Sequence, residues 1–239
     1  MLFPIICPVC GVPGAAPCAA CCAAVVRVGD RQLRTPAGVD RLVAPFVYAG
    51  PIREVLRALK YRNQRAALPW LGAELAAAWR EGGLSGSPTW APTGPARVRR
   101  RGFDQAALLA RALRRAGQAG GPGGWGAPAA GLAIGHPVAL LRRARGPAQT
   151  GRGRAERAAV AGFVLHPAWW RAGSVVPARV VLVDDVITTG ATLAAAAAAL
   201  RAGGCLAVDA LVVAWTPPPT PGRPGRLARD DGRRHRPVR

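Results

Sequence analysis

Two spacings of apolar residues organise this chain: short continuous runs, and positions three and four apart. Ala44-Pro-Phe-Val-Tyr-Ala49 is a run that predicts a short strand closed by Gly50. Pro51 then opens a predicted helix with Ile52, Val55, Leu56 and Leu59 on one face. A second helix is predicted from Leu68 to Arg80, stopped by Gly82-Gly83. Residues 85–101 show no usable period and read as irregular, becoming strongly basic toward their end. Asp104 can cap a helix that carries Leu108, Leu109, Ala112 and Leu113 at helical spacing.

Gly117 to Gly131 is rich in Gly and Pro and reads as a flexible loop or linker. Ala139 to Phe163 is a second basic stretch with weak periodicity. Arg179-Val-Val-Leu-Val183 has the β-branched, continuously apolar character of a buried parallel strand, expected to end at Asp184-Asp185. A Thr/Gly loop, an Ala-rich helix from about Thr192 to Ala202 and the stop Gly203-Gly204 follow. Leu206 to Trp215 is a second buried-strand candidate, which completes a βαβ unit. The expected fold class is α/β, a parallel sheet flanked by helices. Beyond Thr216 the Pro-, Gly- and Arg-rich chain, residues 217–239, reads as a disordered basic tail.

Composition adds charge to this picture. Half of the 239 residues are hydrophobic and mean hydropathy is +0.14, which argues against global disorder. The net charge is +21, and Lys60 is the only lysine. An excess of Arg, Ala, Gly and Pro is also what GC-rich coding produces. Residues 222–239 contain seven Arg and two Asp, so most of the positive excess belongs to the part that should fold. Such a surface attracts polyanions: nucleic acid, acidic lipid or phosphorylated metabolites. Residues 1–6 lack the basic start of a signal peptide, and the longest apolar stretch, Ala191 to Leu200, is too short to span a bilayer. A cytoplasmic protein without membrane insertion is the expectation.

Five of the six cysteines lie between Cys7 and Cys22. Cys7-x-x-Cys10 and Cys18-x-x-Cys21 supply two close pairs of thiolates, the pattern of a structural Zn²⁺ site with all four positions filled. A redox pair and an iron–sulfur site are the alternatives for the same residues. Cys22 is an extra thiol beside Cys21, and Cys205 reads as a buried core thiol. His136, His166 and His235 do not cluster, which favours structural or solvated roles.

Carboxylates at the carboxyl end of a parallel strand stand where ligands of open α/β sheets bind. Asp184 and Asp185, expected to face a solvent-open edge, can accept hydrogen bonds from a ribose diol. Thr188, Thr189, Gly190, Ala191 and Thr192 supply small residues and hydroxyls for a phosphate at a helix N-terminus. A 5-phosphoribosyl group carries both features. A plain polar turn, or carboxylates holding Mg²⁺ in another phosphotransferase, are the competing readings. Neither a Walker A pattern nor G-x-G-x-x-G is present.

Val180-Val-Leu-Val-Asp-Asp-Val-Ile-Thr-Thr-Gly-Ala-Thr192 resembles the signature of type I phosphoribosyltransferases. Other segments resemble the ComF family, a bacterial branch of that group associated with competence and DNA uptake. They are Leu2-Phe-Pro with Cys7-Pro-Val-Cys10, Leu59-Lys60-Tyr61, Arg101-Gly-Phe-Asp-Gln105, and the stretch from Gln149 through Arg157 to Phe163. Asp104 stands where that family usually has Asn, the proline-rich strand is reduced to Trp90-Ala-Pro-Thr93, and no Asn precedes Phe163 in the usual place. The resemblance implies a type I phosphoribosyltransferase-like sheet over residues 41–216 behind a zinc-binding segment, residues 1–28. It implies 5-phosphoribosyl diphosphate as ligand, with Mg²⁺ carried mainly by that ligand. Transfer to an acceptor would displace pyrophosphate at the anomeric carbon through an oxocarbenium-like state. Asp184 and Asp185 would hold the ribose hydroxyls. Backbone at Thr93–Gly94 and the side chains of Arg97, Arg99, Arg100 and Arg101 would approach the pyrophosphate. A solvated basic loop is the plainer reading of those arginines. The competing function is a non-catalytic accessory protein that handles single-stranded DNA in competence.

Overall fold

Val and Leu on both faces of two nine-residue strands build the middle of a parallel sheet, because such strands must be covered on both sides. The computed structural model describes residues 4–29, 33–118, 134–144, 162–171 and 175–218. In chain order the elements are α1 (Ala19–Ala23), β1 (Leu42–Val43), β2 (Phe46–Val47), α2 (Gly50–Arg62), α3 (Leu68–Glu81), β3 (Ser87–Trp90), α4 (Pro95–Arg101), α5 (Gln105–Gln118), β4 (Leu141–Arg143), β5 (Phe163–Leu165), α6 (Ala168–Arg171), β6 (Arg179–Ile187), α7 (Ala191–Ala202) and β7 (Ala207–Trp215). The sheet runs β1-β7-β6-β3, with β2 also on β7, and every pairing in it is parallel. β4 and β5 form a separate antiparallel pair.

The sheet divides two apolar layers. On one face Val181, Val183, Leu211 and Val213 pack with Ile52, Leu56, Leu71, Leu75 and Leu109 from α2, α3 and α5. On the other, Val180, Leu182, Ala210 and Val212 pack with Leu193, Ala196 and Leu200 of α7 and with Leu141 and Phe163 of the small pair. α3 and α5 lie very close, since a Cβ on Gly72 would stand 2.5 Å from the Ala112 carbonyl oxygen. The N-terminal segment rests on the α2–α3 side. An Arg62 nitrogen donates to the Pro8 carbonyl at 3.0 Å, and Arg27 pairs with Glu74 at 2.8 Å.

Several sequence expectations change. The strand expected over residues 44–49 is two short pieces, β1 and β2, on either side of Ala44-Pro45, where proline removes a ladder donor. Residues 85–101 are not irregular, for they hold β3 and α4. β3 lies at the sheet edge and so tolerates Pro88. α4 begins with Pro95 and ends at Gly102, whose φ is +79°. Neither element carries an apolar period, which hid both. α5 runs on to Gln118, into the expected loop. The rest of that loop, the segment with Gln149 and Arg157, and the tail from residue 219 lie outside the described residues. Among the described residues no helix is long and apolar enough to cross a membrane.

Candidate functional site at the carboxyl edge of the sheet

β6 continues past the two carboxylates to Ile187 because β7 pairs with it as far as Trp215. Asp184 and Asp185 therefore lie inside a strand and alternate between its faces. Both were expected at a solvent-open edge, and Asp185 is not, being 6 % exposed. It turns toward the α2–α5 layer. There Lys60 Nζ lies 2.8 Å from its Oδ2, and Gln105 Nε2 donates to the same oxygen at 2.8 Å. Asp184 is half-buried on the opposite face, where its Oδ1 accepts the Asp185 N–H at 2.8 Å. Burial, with the Asp185 charge second, pushes the Asp184 carboxyl up to about 8, against the opposing effects of the Asp185 N–H and Lys60.

The turn beyond β6 exposes Thr188, Thr189, Ala191 and Thr192 and buries Gly190. Gly190 sits at the start of α7 with φ +78°, and a Cβ there would stand 2.8 Å from Pro36 Cγ. Its carbonyl accepts the Ala194 N–H at 2.9 Å, which closes the first helical turn. Thr189 Oγ1 accepts the Ala191 N–H at 3.4 Å. Among the described residues no acceptor meets the N–H groups of Thr189, Gly190 or Thr192. These free donors at the positive end of a twelve-residue helix favour an anion.

The neighbouring β3–α4 turn is tied to α5 by Asp104. Its carboxylate accepts the Thr93 N–H at 2.8 Å and the Thr93 hydroxyl at 3.1 Å. It also caps α5, taking the Ala106 N–H at 3.1 Å. The Thr93 N–H is thus already committed, while Arg97, Arg99 and Arg100 stand exposed on α4. Arg101 turns inward. Its guanidinium stacks over Tyr61 at 5.2 Å and donates to Gln105 Oε1. Arg143, on β4, approaches from the other side, donating from Nε to the Pro92 carbonyl at 2.9 Å and covering the Phe163 ring at 4.2 Å. Burial and the Arg97 charge lower the Arg143 guanidinium from its ordinary value, against the pull of Asp184 and Asp104, so all four groups share one field.

At the N-terminus the Sγ atoms of Cys7, Cys10, Cys18 and Cys21 all lie within 4.8 Å of one another. Cys10 and Cys18 sulfurs are 3.6 Å apart, close to the roughly 3.8 Å edge of a tetrahedron with zinc–sulfur bonds of about 2.3 Å. The Cys18 N–H points at Cys7 Sγ from 3.4 Å. Burial opposes ionisation of Cys7, but N–H groups of Cys10, Cys18 and Val9 outweigh it and bring the thiol down to about 6. Burial and the neighbouring thiols push Cys21 up. These residues fit a four-thiolate metal site, as their spacing predicted. Cys22 stands apart, its sulfur 3.8 Å from the Pro17 carbonyl and packed toward the core. Cys205 is buried as expected.

Reasoning from the sequence gave Asp104 its cap on α5 but not its tie to Thr93, and left Lys60, Gln105 and Arg143 without their observed partners. A single lysine in a chain so rich in arginine was the one available signal for Lys60. No protein-family model matches the chain. No curated protein matches it either.

Proposed function

We propose that the carboxyl edge of β6 binds a 5-phosphoribosyl diphosphate and that the chain is a phosphoribosyltransferase of the ComF type. The observation that carries this reading is the junction of half-buried Asp184 with the exposed Thr188–Thr192 turn. A sugar hydroxyl needs an acceptor a few residues before a phosphate needs donors, and one strand–turn–helix offers both. Asp184 Oδ1 is used by the Asp185 N–H, which leaves Oδ2 for the ligand, as a donor while the carboxyl keeps its proton and as an acceptor once it has lost it near pH 8. Asp185 acts from inside, holding Lys60 and Gln105. The Thr189, Gly190 and Thr192 N–H groups take the 5-phosphate, and the arginines of α4 stabilise the leaving pyrophosphate. Mg²⁺ enters with the diphosphate. Zinc is the metal proposed for the four cysteines, in a structural role, since four thiolates fill its coordination.

Calorimetric titration of 5-phosphoribosyl diphosphate with Mg²⁺ tests the reading. Saturable binding that Asp184→Asn weakens at least about tenfold supports it. Absence of binding by folded, zinc-loaded protein would overturn it.

A second reading rests on the three exposed guanidiniums of α4 together with the +21 net charge: an accessory protein for single-stranded DNA. It is favoured if DNA affinity exceeds heparin affinity at matched salt and survives Asp184→Asn. Equal affinity for heparin reduces it to nonspecific charge.

A further inference from the structure

Of the four arginines on α4, Arg101 is the one whose side chain has hydrogen-bond and ring partners among the described residues, and these run back to the sheet. Asp185 Oδ2 receives both Lys60 Nζ and Gln105 Nε2, each at 2.8 Å. A carboxylate accepts and cannot donate, so it forces the NH₂ end of the Gln105 amide toward itself. The Gln105 carbonyl oxygen must then face the other way, where the Arg101 guanidinium meets it. Tyr61, adjacent in sequence to Lys60, lies under the same guanidinium with its ring centroid 5.2 Å from Cζ. Arg101 Nε is buried and has no hydrogen-bond partner among the described residues. A buried donor without an acceptor is costly, and with Nη1 taken by Gln105 it is the other terminal nitrogen of the guanidinium that is left for an anion oxygen. Arg97, Arg99 and Arg100 are exposed, and each would lose rotamer freedom on binding a ligand.

Resting on the phosphoribosyl reading above, we propose that Gln105 and Tyr61 are positioning residues that preset Arg101 for the diphosphate end of the ligand. Arg101, rather than its three exposed neighbours, then carries the diphosphate affinity of α4. Lys60 and Asp185 act one step further back, orienting the amide that orients the guanidinium.

The test separates the two halves of the ligand, using inorganic pyrophosphate with Mg²⁺ and ribose 5-phosphate as probes in calorimetric titrations of the full chain. Gln105→Leu is expected to weaken pyrophosphate at least about tenfold and leave ribose 5-phosphate unchanged. Tyr61 is 65 % exposed, so its variants should fold regardless of the buried chain of contacts. Tyr61→Leu is expected to weaken pyrophosphate roughly two- to fivefold, while Tyr61→Phe keeps the ring and the affinity. Neither loss should add to that of Arg101→Ala, because all act through one guanidinium. Wild-type affinity for pyrophosphate in both leucine variants overturns the proposal, as does a larger loss from Arg97→Ala, Arg99→Ala or Arg100→Ala than from Arg101→Ala. If folded wild type binds neither probe, the phosphoribosyl reading itself falls. If it binds ribose 5-phosphate but not pyrophosphate, that reading stands and this one fails.

Discussion

Lys60→Met keeps the length and apolar stem of the side chain that crosses from α2 to β6 and deletes its ammonium. The Lys60 and Asp185 side chains are 15 % and 8 % exposed, so water cannot replace the lost partner. Among the described residues Gln105 remains as the one donor to Asp185 Oδ2. Removing one member of a buried ion pair typically costs about 3–5 kcal/mol, because the other charge is stranded. For a domain of this size that corresponds to a fall in Tm of roughly 6–20 °C. Urea unfolding of the zinc-loaded protein, followed by circular dichroism, measures the loss directly. Adding Asp185→Asn to Lys60→Met removes the stranded charge while keeping an amide oxygen for Gln105. The double variant should therefore regain more than half of the lost stability. A loss below about 1 kcal/mol for Lys60→Met would place the pair in the range of solvated surface bridges. That outcome, or simple additivity of the two substitutions, would refute the buried network.

Cys7→Ser should release the bound metal and loosen the segment up to α1, since structural zinc contributes on the order of 10 kcal/mol to small metal-held folds. Metal analysis of wild type and variant checks this, and wild type purified under reducing conditions without zinc would refute it. Gly190→Ala places a Cβ at φ +78° and 2.8 Å from Pro36 Cγ, so it should cost about 1–3 kcal/mol and weaken phosphate binding. Unfolding and titration with ribose 5-phosphate report the two effects separately. Asp184 titrates near 8 in the folded chain against an ordinary value of 3.8. Between those values the folded state binds more protons than the unfolded one, so this group's contribution to stability falls as pH rises from about 4 to about 8. Asp184→Asn should therefore gain on wild type over that window, by about 2 kcal/mol or more at pH 8 for a half-buried group, and a pH-independent difference in urea unfolding would contradict it.

The parts of the fold that were legible in the sequence have a strong period or a strong punctuation. α2, α3, α5 and the β6–α7–β7 unit each combine an apolar pattern with Pro, Asp or Gly at an end, and all appear in the structure. β3 and α4 lack that signal because an edge strand of four residues and a seven-residue arginine helix bury no stripe of their own. The strand near residue 45 was misplaced because the five apolar residues around it outweighed the one proline, Pro45. The Cys pairs were legible because metal geometry ties sulfur positions to sequence spacing. Which carboxylate faces the edge was hidden by one fact, that β6 outruns the acidic pair by two residues.

That overrun changes what a pair of adjacent acids does. In a turn, both could face one ligand. In a strand they must point to opposite faces, so Asp185 is committed to Lys60 and Gln105 while Asp184 is left toward the Thr188–Thr192 turn. The two stay coupled through one peptide, whose N–H donates to Asp184 Oδ1 at 2.8 Å. The choice of cation at the inner acid follows the same geometry. Asp185 Oδ2 already carries an amide N–H, so a second partner must approach as a compact point charge. An ammonium does so, whereas the planar fork of a guanidinium favours both oxygens at once. In a chain with 33 basic residues, the single lysine is the cation that pairs with this inner acid.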